Sequence, residues 1–199
     1  MKLLAVSKTK PSDLVRQAAA VGQRAFGENY VDEGVGKLQE LAELDLIWHY
    51  IGHIQSNKTR VIANHYDWVQ SVDRLKIAKR LAEHRPASLA PLNICIQLKI
   101  DEEESKSGCT TAELDDLATF IDSAPTLSLR GLMAIPAPRS EMAEQREVFA
   151  ELNSWYQQLR SSYSSVDTLS MGMSGDMEAA IAEGATMVRI GTAVFGRRD

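Results

Sequence analysis

Cysteine is scarce in this chain of 199 residues, and the scarcity bounds its class. Only Cys95 and Cys109 are present, and Cys95 lies inside an apolar run. Small secreted domains that depend on disulfides carry many more cysteines, so we expect no disulfide framework and a reducing, cytoplasmic location. Cys109 has no obvious base as a partner, and we interpret it as structural or incidental.

Long apolar runs and clustered basic residues are also missing. No run approaches the roughly 18 residues that span a bilayer, and Met1 to Val6 is too short for a signal-peptide core. The net charge of −5 gives no support for a nucleic-acid or anionic-membrane partner. Hydrophobic content of 44% with 25% charged residues is typical of globular proteins, and the length predicts one domain over residues 1–199.

A Gly-x-Gly-x-x-Gly turn, which a dinucleotide-binding sheet would place after its first strand, is absent. Eight short apolar segments instead alternate with helical patterns, which predicts a single α/β domain with the (β/α)₈ barrel fold. An open, doubly wound sheet is the rival, and the count of eight favours closure. The predicted strands are 3–6, 25–27, 47–51, 68–72, 93–100, 129–135, 168–171 and 187–190.

Helical periodicity supports the same fold. The first helix follows Pro11, with Leu14, Ala18 and Val21 on one face, and Gly22 ends it. The second carries an i,i+4 pair, Glu33 and Lys37. Thr110 or Thr111 caps the fifth helix, and the sixth, over about 140–163, presents a core stripe of Phe149, Leu152, Tyr156 and Leu159. Only residues 192–199 follow the last strand, so a full outer helix is expected to be missing there or at the start.

Lys8 is the first candidate for chemistry, because it ends an apolar run. Alternation places Leu4, Val6 and Lys8 on one face of a strand that we expect to be buried on both faces. An amine above an apolar floor is desolvated, which favours its neutral, nucleophilic form. Such an amine can form a Schiff base with an aldehyde. The alternative is an ordinary solvated lysine at a strand exit.

The segments after the last two strands carry the features of a phosphate site, which barrels of this kind commonly place there. Ser174 lies in the glycine-containing segment 172–176, and Gly191 and Thr192 open the short terminal segment. Glycines let backbone N–H groups approach an anion, and the first amides of a helix attract one. Ser174 could alternatively be a plain helix N-cap.

Arg189 is a charged residue inside an apolar strand, and its parity matches that of Gly191. A buried guanidinium needs hydrogen-bonding partners, and the alternative to a ligand is an ion pair with a core carboxylate. A lysine nucleophile, a phosphate cradle and an inward arginine on neighbouring strand ends suggest an aldehyde that carries a phosphate. Pyridoxal 5′-phosphate (PLP) fits that description.

Six runs resemble, in order, those of the pyridoxal phosphate homeostasis protein family, the YggS-type proteins of bacteria. They are 5–10, 26–30, 48–58, 131–135, 169–174, and 188–192 with Phe195 and Gly196. The resemblance covers nearly the whole chain and implies a barrel like the N-terminal domain of alanine racemase. It implies that Lys8 holds PLP as an aldimine, that Ser174, Gly191 and Thr192 contact the phosphate, that Arg189 faces the pyridine nitrogen, and that Asn29 lies near the ring.

Two departures from the family pattern stand out. Family members usually have a helical segment before the lysine strand, and this sequence starts almost at that strand, so we expect the N-terminal helix to be missing. Gly175 replaces an aspartate common in bacterial relatives, whereas Asp176 is kept. We expect the short start to affect the stability of the barrel and not the site, and we expect little functional change from Gly175.

Catalysis is the main alternative to cofactor carriage. Racemases of this fold type take a second acid/base tyrosine and much of the site wall from a C-terminal β domain, and because this sequence ends at Asp199 we expect no such domain. The expected function is therefore a non-catalytic PLP carrier that limits the free aldehyde and can pass the cofactor to apo-enzymes. A PLP-dependent racemase-like enzyme is the second hypothesis, and a Schiff-base aldolase on phosphosugars is the third.

The remaining candidates have simpler explanations. His49 is interpreted as a packed strand residue and His53 as a loop donor. No carboxylate accompanies them at ligand spacing, so no metal is expected. The acidic run 101–104 is interpreted as a solvated loop, and Lys106 to Gly108 could reach the mouth of the site. A monomer that binds PLP, but no nucleic acid or membrane, is the expected state.

Overall fold

The computed structural model describes residues 1–101 and 107–196. Within them, eight parallel strands form a closed barrel in sequence order, and β1 pairs with β8 to close it. The strands are β1 Lys2–Val6, β2 Ala25–Glu28, β3 Ile47–Tyr50, β4 Trp68–Val72, β5 Leu92–Gln97, β6 Leu127–Met133, β7 Thr168–Ser170 and β8 Met187–Ile190. The predicted (β/α)₈ fold is confirmed.

Helices follow the strands and cover the outside of the barrel. They are α1 Ser12–Ala20, α2 Val31–Glu40, α3 Thr59–His65, α4 Leu75–His84, α5 Thr111–Ser123, α6 Met142–Ser162, α7 Met177–Ala182 and α8 Thr192–Phe195. A 3₁₀ turn, Ser56–Lys58, precedes α3. The main apolar core lies between the strands and these helices, and the predicted stripe of α6 is buried in it.

Two of the expected helix features are settled by side-chain contacts. Thr110 is the N-cap of α5, and its backbone N–H and hydroxyl both donate to Glu113 Oε2, at 2.9 and 2.8 Å. The Glu33 and Lys37 pair on α2 is also confirmed, with 2.6 Å between Lys37 Nζ and Glu33 Oε1.

Two expectations were wrong, and a third, burial of β1 on both faces, holds only in part. The inward face of α1 is formed by Val15 and Ala19, whereas Val21 is 87% exposed because the helix ends at Ala20. The fifth strand ends at Gln97, since Leu98 leaves the barrel ladder and forms an isolated bridge with Cys109. On β1 both faces are buried at Leu4 and Ala5, which are 0% exposed, whereas Leu3 at the start of the strand is 40% exposed.

Candidate functional site

One cavity of about 320 Å³ opens at the carboxyl ends of the strands, where barrels of this class carry their sites. It is lined by all six residues that the sequence analysis singled out, which come from the segments at or just after β1, β2, β7 and β8. They are Lys8, Asn29, Ser174, Arg189, Gly191 and Thr192. Residues far apart in the chain are therefore neighbours in the barrel.

Lys8 lies in a turn two residues beyond the end of β1 and is half-buried. Val6, on the same face of the strand, lines the cavity with it, and Leu4 below is fully buried. The expected apolar floor is present on this strand. On the neighbouring β8, however, Leu4 pairs in register with Arg189, so the wall beside that floor is polar.

The segment after β7 does not use Ser174 as a helix cap. The N-cap of α7 is Asp176, whose Oδ1 accepts a 2.6 Å hydrogen bond from the backbone N–H of Met173. Ser174 lines the cavity instead, opposite Gly191 and Thr192, where α8 begins. The first N–H groups of a helix have no intrahelical acceptor, so these two segments can offer donors to an anion.

Arg189 is only 4% exposed, and its guanidinium is held by oxygen atoms of neighbouring strands. Nη1 donates to the carbonyl oxygen and the hydroxyl of Ser170, at 2.8 and 2.9 Å, and Nη2 donates to the Ala134 carbonyl at 2.8 Å. Burial lowers the pKa of Arg189 to about 10, so it stays cationic at neutral pH. Among the described residues, no carboxylate pairs with it, which argues against the ion-pair alternative.

A chain of hydrogen bonds continues from Arg189 through the barrel interior. Ser170 Oγ donates to Gln70 Oε1 at 2.6 Å, and Gln70 Nε2 lies 2.8 Å from His49 Nδ1. Because a guanidinium can only donate, the Ser170 hydroxyl accepts from it and must donate onward to the Gln70 carbonyl oxygen. The amide nitrogen then donates to His49 Nδ1, which leaves the proton of the neutral imidazole on Nε2.

His49 is correspondingly a packed strand residue, as expected. Its ring stacks on Trp68 with 5.0 Å between centroids, and burial lowers its pKa to about 3. The series of hydrogen bonds from Arg189 requires His49 Nδ1 to accept a hydrogen bond from Gln70. Only a neutral imidazole can do this, which agrees with the lowered pKa. Gln70 and Ser170, the two links of this chain, were not identified from the sequence. The signal that singled out Arg189, a polar residue within an apolar strand, applied equally to Gln70.

The charged residues that line the cavity are all basic. Lys8, Lys10 and Arg189 line it, and no aspartate or glutamate of the described part of the chain does so. One polar atom is also left without a partner there: Asn29 Oδ1 is buried and accepts no hydrogen bond from any described residue. The cavity therefore suits an anionic ligand that also carries a hydrogen-bond donor.

The other candidates lie away from this cavity. His53 is exposed, with Nδ1 3.4 Å from Ser107 Oγ. Cys109 is buried, and burial raises its pKa to about 12, so the thiol is not reactive. Asp101 was wrongly interpreted as solvated, because Arg139 Nη2 donates to it at 2.7 Å. Lys106 and residues 102–104 lie outside the described residues.

Two further features are absent from the described ranges. No group of three or more histidine, cysteine, aspartate or glutamate side chains there is arranged to hold a metal ion. None of the helices in those ranges is both long enough and apolar enough to cross a bilayer.

Comparison with known proteins identifies the family. The model of the alanine racemase N-terminal domain family matches residues 1–199. The pyridoxal phosphate homeostasis protein of Pseudomonas aeruginosa is 60% identical over 197 residues, which span 99% of this chain and 84% of the relative. The chain belongs to the pyridoxal phosphate homeostasis protein family. The Escherichia coli member of that family is 57% identical over 200 residues, with 99% of this chain and 86% of the relative covered.

Solved structures agree with the family assignment. PipY of Synechococcus elongatus, solved with PLP bound, superposes with a TM-score of 0.88 at 38% identity, covering 98% of this chain and 92% of PipY. Alanine racemase of Corynebacterium glutamicum gives a TM-score of 0.78 at 17% identity, covering 99% of this chain and 56% of the racemase. The second likeness concerns the fold alone, and it agrees with the expected resemblance to the racemase barrel.

Proposed function

We propose that this protein binds PLP as a Schiff base on Lys8 and serves PLP homeostasis and cofactor supply rather than catalysis. The observation that carries the proposal is the single cavity in which Lys8, the segments after β7 and β8, and Arg189 meet. The names of the relatives and the PLP-bound PipY structure support the choice of ligand.

The residues present fit PLP at both ends of the molecule. In this proposal Ser174, Gly191 and Thr192, which line the cavity, hold the phosphate, whose charge matches the cationic lining. Arg189 faces the ring nitrogen, and the unsatisfied Asn29 Oδ1 accepts a hydrogen bond from a ring hydroxyl. When bound, PLP supplies a reactive aldehyde and an electron-withdrawing ring.

The attachment to Lys8 needs no further reagent. The neutral amine bonds to the aldehyde carbon, and the carbonyl oxygen leaves as water with the two amine protons, so that a C=N bond replaces C=O. No electron donor or acceptor is required, and water reverses the step. Reversibility is what a carrier needs, because the cofactor must be released intact.

A non-catalytic role is supported by what lines the cavity. Racemisation requires an acid/base group on each face of the substrate α-carbon. Within the described ranges, no tyrosine, histidine or carboxylate lines the cavity, although Lys10 does so beside Lys8. Because Lys8 and Lys10 could each act as an acid/base group, a racemase-like activity is the second candidate function.

The deciding experiment loads the purified protein with PLP and measures racemisation of a panel of L-amino acids. We expect no turnover above that of free PLP, together with a visible imine absorption band that is lost in Lys8→Ala. Robust racemisation that Lys8→Ala abolishes would reject the carrier and establish an enzyme. A chromophore carried by protein purified without added PLP, and not released by alkali as PLP, would reject the choice of cofactor.

The cellular setting is proposed on the same grounds. Cys95 and Cys109 are both unpaired and buried, which suits the reducing cytoplasm. We propose a monomer, which light scattering of the purified protein tests directly. Apo forms of PLP-dependent enzymes are the proposed recipients, and transfer would be measured as recovery of their activity after mixing with the loaded protein.

A further inference from the structure

The residue that follows Lys8 has an unusual backbone. Thr9 has φ of +62°, and no other non-glycine residue in the described ranges has a positive φ. This left-handed conformation is costly for a β-branched side chain. Such strain persists only where surrounding contacts impose it, and it tends to occur at functional sites. We therefore expect specific contacts to hold the turn that contains Lys8 and Thr9.

Two contacts hold the turn, one on each side of Lys8. The backbone N–H of Thr9 donates to Glu33 Oε1 at 2.5 Å. On the other side, Lys37 Nζ donates to the Ser7 carbonyl oxygen at 2.6 Å. Glu33 and Lys37 are both on α2, so one helix fixes the backbone immediately before and after Lys8.

Both contacts belong to one group of charged side chains, the Lys37 cluster, formed by Ser7, Glu28, Glu33 and Lys37. Lys37 is only 5% exposed, and its ammonium donates to Glu28 Oε1 at 2.8 Å and to Glu33 Oε1 at 2.6 Å. The Ser7 hydroxyl donates to the same Glu28 oxygen at 2.6 Å. The ammonium group of Lys37 thus donates its three hydrogen bonds to the Ser7 carbonyl oxygen and to two carboxylates.

Stability alone does not account for this arrangement. Buried ion pairs cost much desolvation energy, and apolar residues of similar size often stabilise a fold as well or better. Burial raises the pKa of Glu28, as expected of a carboxylate in a poorly solvated place. None of the three charged residues lines the cavity, so none is placed to contact a ligand.

We propose that Lys37, with Glu28 and Glu33, is a positioning residue for Lys8. The cluster holds the backbone from Ser7 to Thr9 in the strained conformation that directs the Lys8 amine into the cavity. This inference rests on the proposed function, because the quantity it controls is attachment of PLP to Lys8. The condensation itself, with loss of water, is the one described above.

The test separates covalent capture from binding of the ring and phosphate. Pyridoxine 5′-phosphate has an alcohol in place of the aldehyde, so it occupies the same contacts but cannot form an imine. For Lys37→Met we expect the Kd for PLP to rise at least tenfold while that for pyridoxine 5′-phosphate stays within about twofold. The fraction of protein that borohydride traps at Lys8, at saturating PLP and well below the melting temperature, should fall as well.

A purely structural role predicts a different pattern. If Lys37→Met weakens both ligands equally, or neither, the positioning role is rejected. Arg16→Met is the matched control, since it removes one positive charge from an exposed ion pair with Glu43. It should leave both affinities and the trapped fraction unchanged.

A milder variant keeps the proposal testable if Lys37→Met does not fold. Glu33→Ala removes the acceptor of the Thr9 N–H at a carboxylate whose side chain is 28% exposed, so it leaves less buried charge unpaired. We expect the same selective loss of PLP affinity, about threefold or more. Equal affinities for PLP in Glu33→Ala and the unmodified protein would contradict the proposal.

Failure of the proposed function would look different from failure of this inference. If Lys8→Ala binds PLP as tightly as the unmodified protein and retains the imine band, Lys8 is not the attachment point. The positioning role then falls with it. If Lys8→Ala loses the band but Lys37→Met and Glu33→Ala behave like the unmodified protein, only the positioning role is rejected.

Discussion

Ser174 allows binding of the phosphate to be tested separately from binding of the ring. It lies in the segment after β7, faces the cavity and is not the cap of α7. Its proposed contact is with the phosphate alone. The residue therefore offers a test of where the phosphate binds.

We expect Ser174→Ala to weaken PLP binding by ~1–3 kcal/mol, the range for a hydrogen bond to a charged group. Pyridoxal, which lacks the phosphate, should bind both proteins with the same Kd. Titrations with the two compounds measure this directly. An unchanged Kd for PLP in the variant would place the phosphate elsewhere.

His49 makes a prediction about pH. Its folded-state pKa of about 3 lies below the ordinary value of 6.5, so between these limits the unfolded chain binds a proton that the folded protein does not. The free energy of unfolding should therefore fall as the pH drops below about 6.5. One proton contributes a slope of about 1.4 kcal/mol per pH unit.

Urea denaturation at several pH values between 4 and 7 would measure that slope, with His49→Asn as the comparison. Asparagine keeps an acceptor for Gln70 and removes the titrating ring. The slope of the free energy of unfolding against pH should therefore be smaller in the variant by the contribution of one proton. Parallel curves for the two proteins would show that His49 is not held neutral in the fold.

Residues of the cavity lining could be picked out from the sequence where a charge interrupts or ends an apolar strand. Lys8 and Arg189 were singled out because each is a charge beside or within an apolar strand, and both line the cavity. Lys37 gave no such signal, since a lysine on an amphipathic helix is usually exposed. Only the fold shows that it is buried beneath the turn after β1.

At the scale of elements, α2 deserves a test of its own because it carries two glycines in different surroundings. A Cβ on Gly34 would lie 1.9 Å from the buried Tyr66 hydroxyl oxygen, whereas one on Gly36 would meet no atom within 4 Å. The same substitution should therefore have opposite effects two residues apart.

We expect Gly36→Ala to stabilise the protein by about 0.5–1 kcal/mol, because alanine is the better helix former. Gly34→Ala should destabilise it by roughly 1–3 kcal/mol through overpacking against Tyr66. Urea denaturation of both variants gives the two values. Shifts of the same sign would mean that the packing of α2 against Tyr66 is wrong.

The limits of sequence-based prediction for elements lie at their ends. β4 and β8 were predicted to the residue, because turn-forming residues bound their apolar runs. The fifth strand was overextended to Ile100, since the bridge between Leu98 and Cys109 depends on a distant part of the chain. The inward face of α1 was misplaced because the sequence did not show that the helix ends before Val21.

At the scale of the whole molecule, closure of the barrel creates the site. β1 and β8 are 180 residues apart in sequence, yet Leu4 pairs with Arg189 and Ala5 with Ile190. Eight alternating units predicted this closure, and closure in turn implied that the ends of the first and last strands adjoin. The interior chain from Arg189 to His49 could not be predicted, because it requires the register of non-adjacent strands.

The central claim is that Lys8 is the residue that captures the aldehyde. Borohydride reduction of the PLP-loaded protein, followed by peptide mass mapping, tests it most directly, because reduction makes the bond permanent. Pyridoxine 5′-phosphate, treated in the same way, is the control and should leave every lysine unmodified. The account predicts one phosphopyridoxyl group per chain, on Lys8. Modification of Lys10 or another lysine with Lys8 unmodified would contradict it.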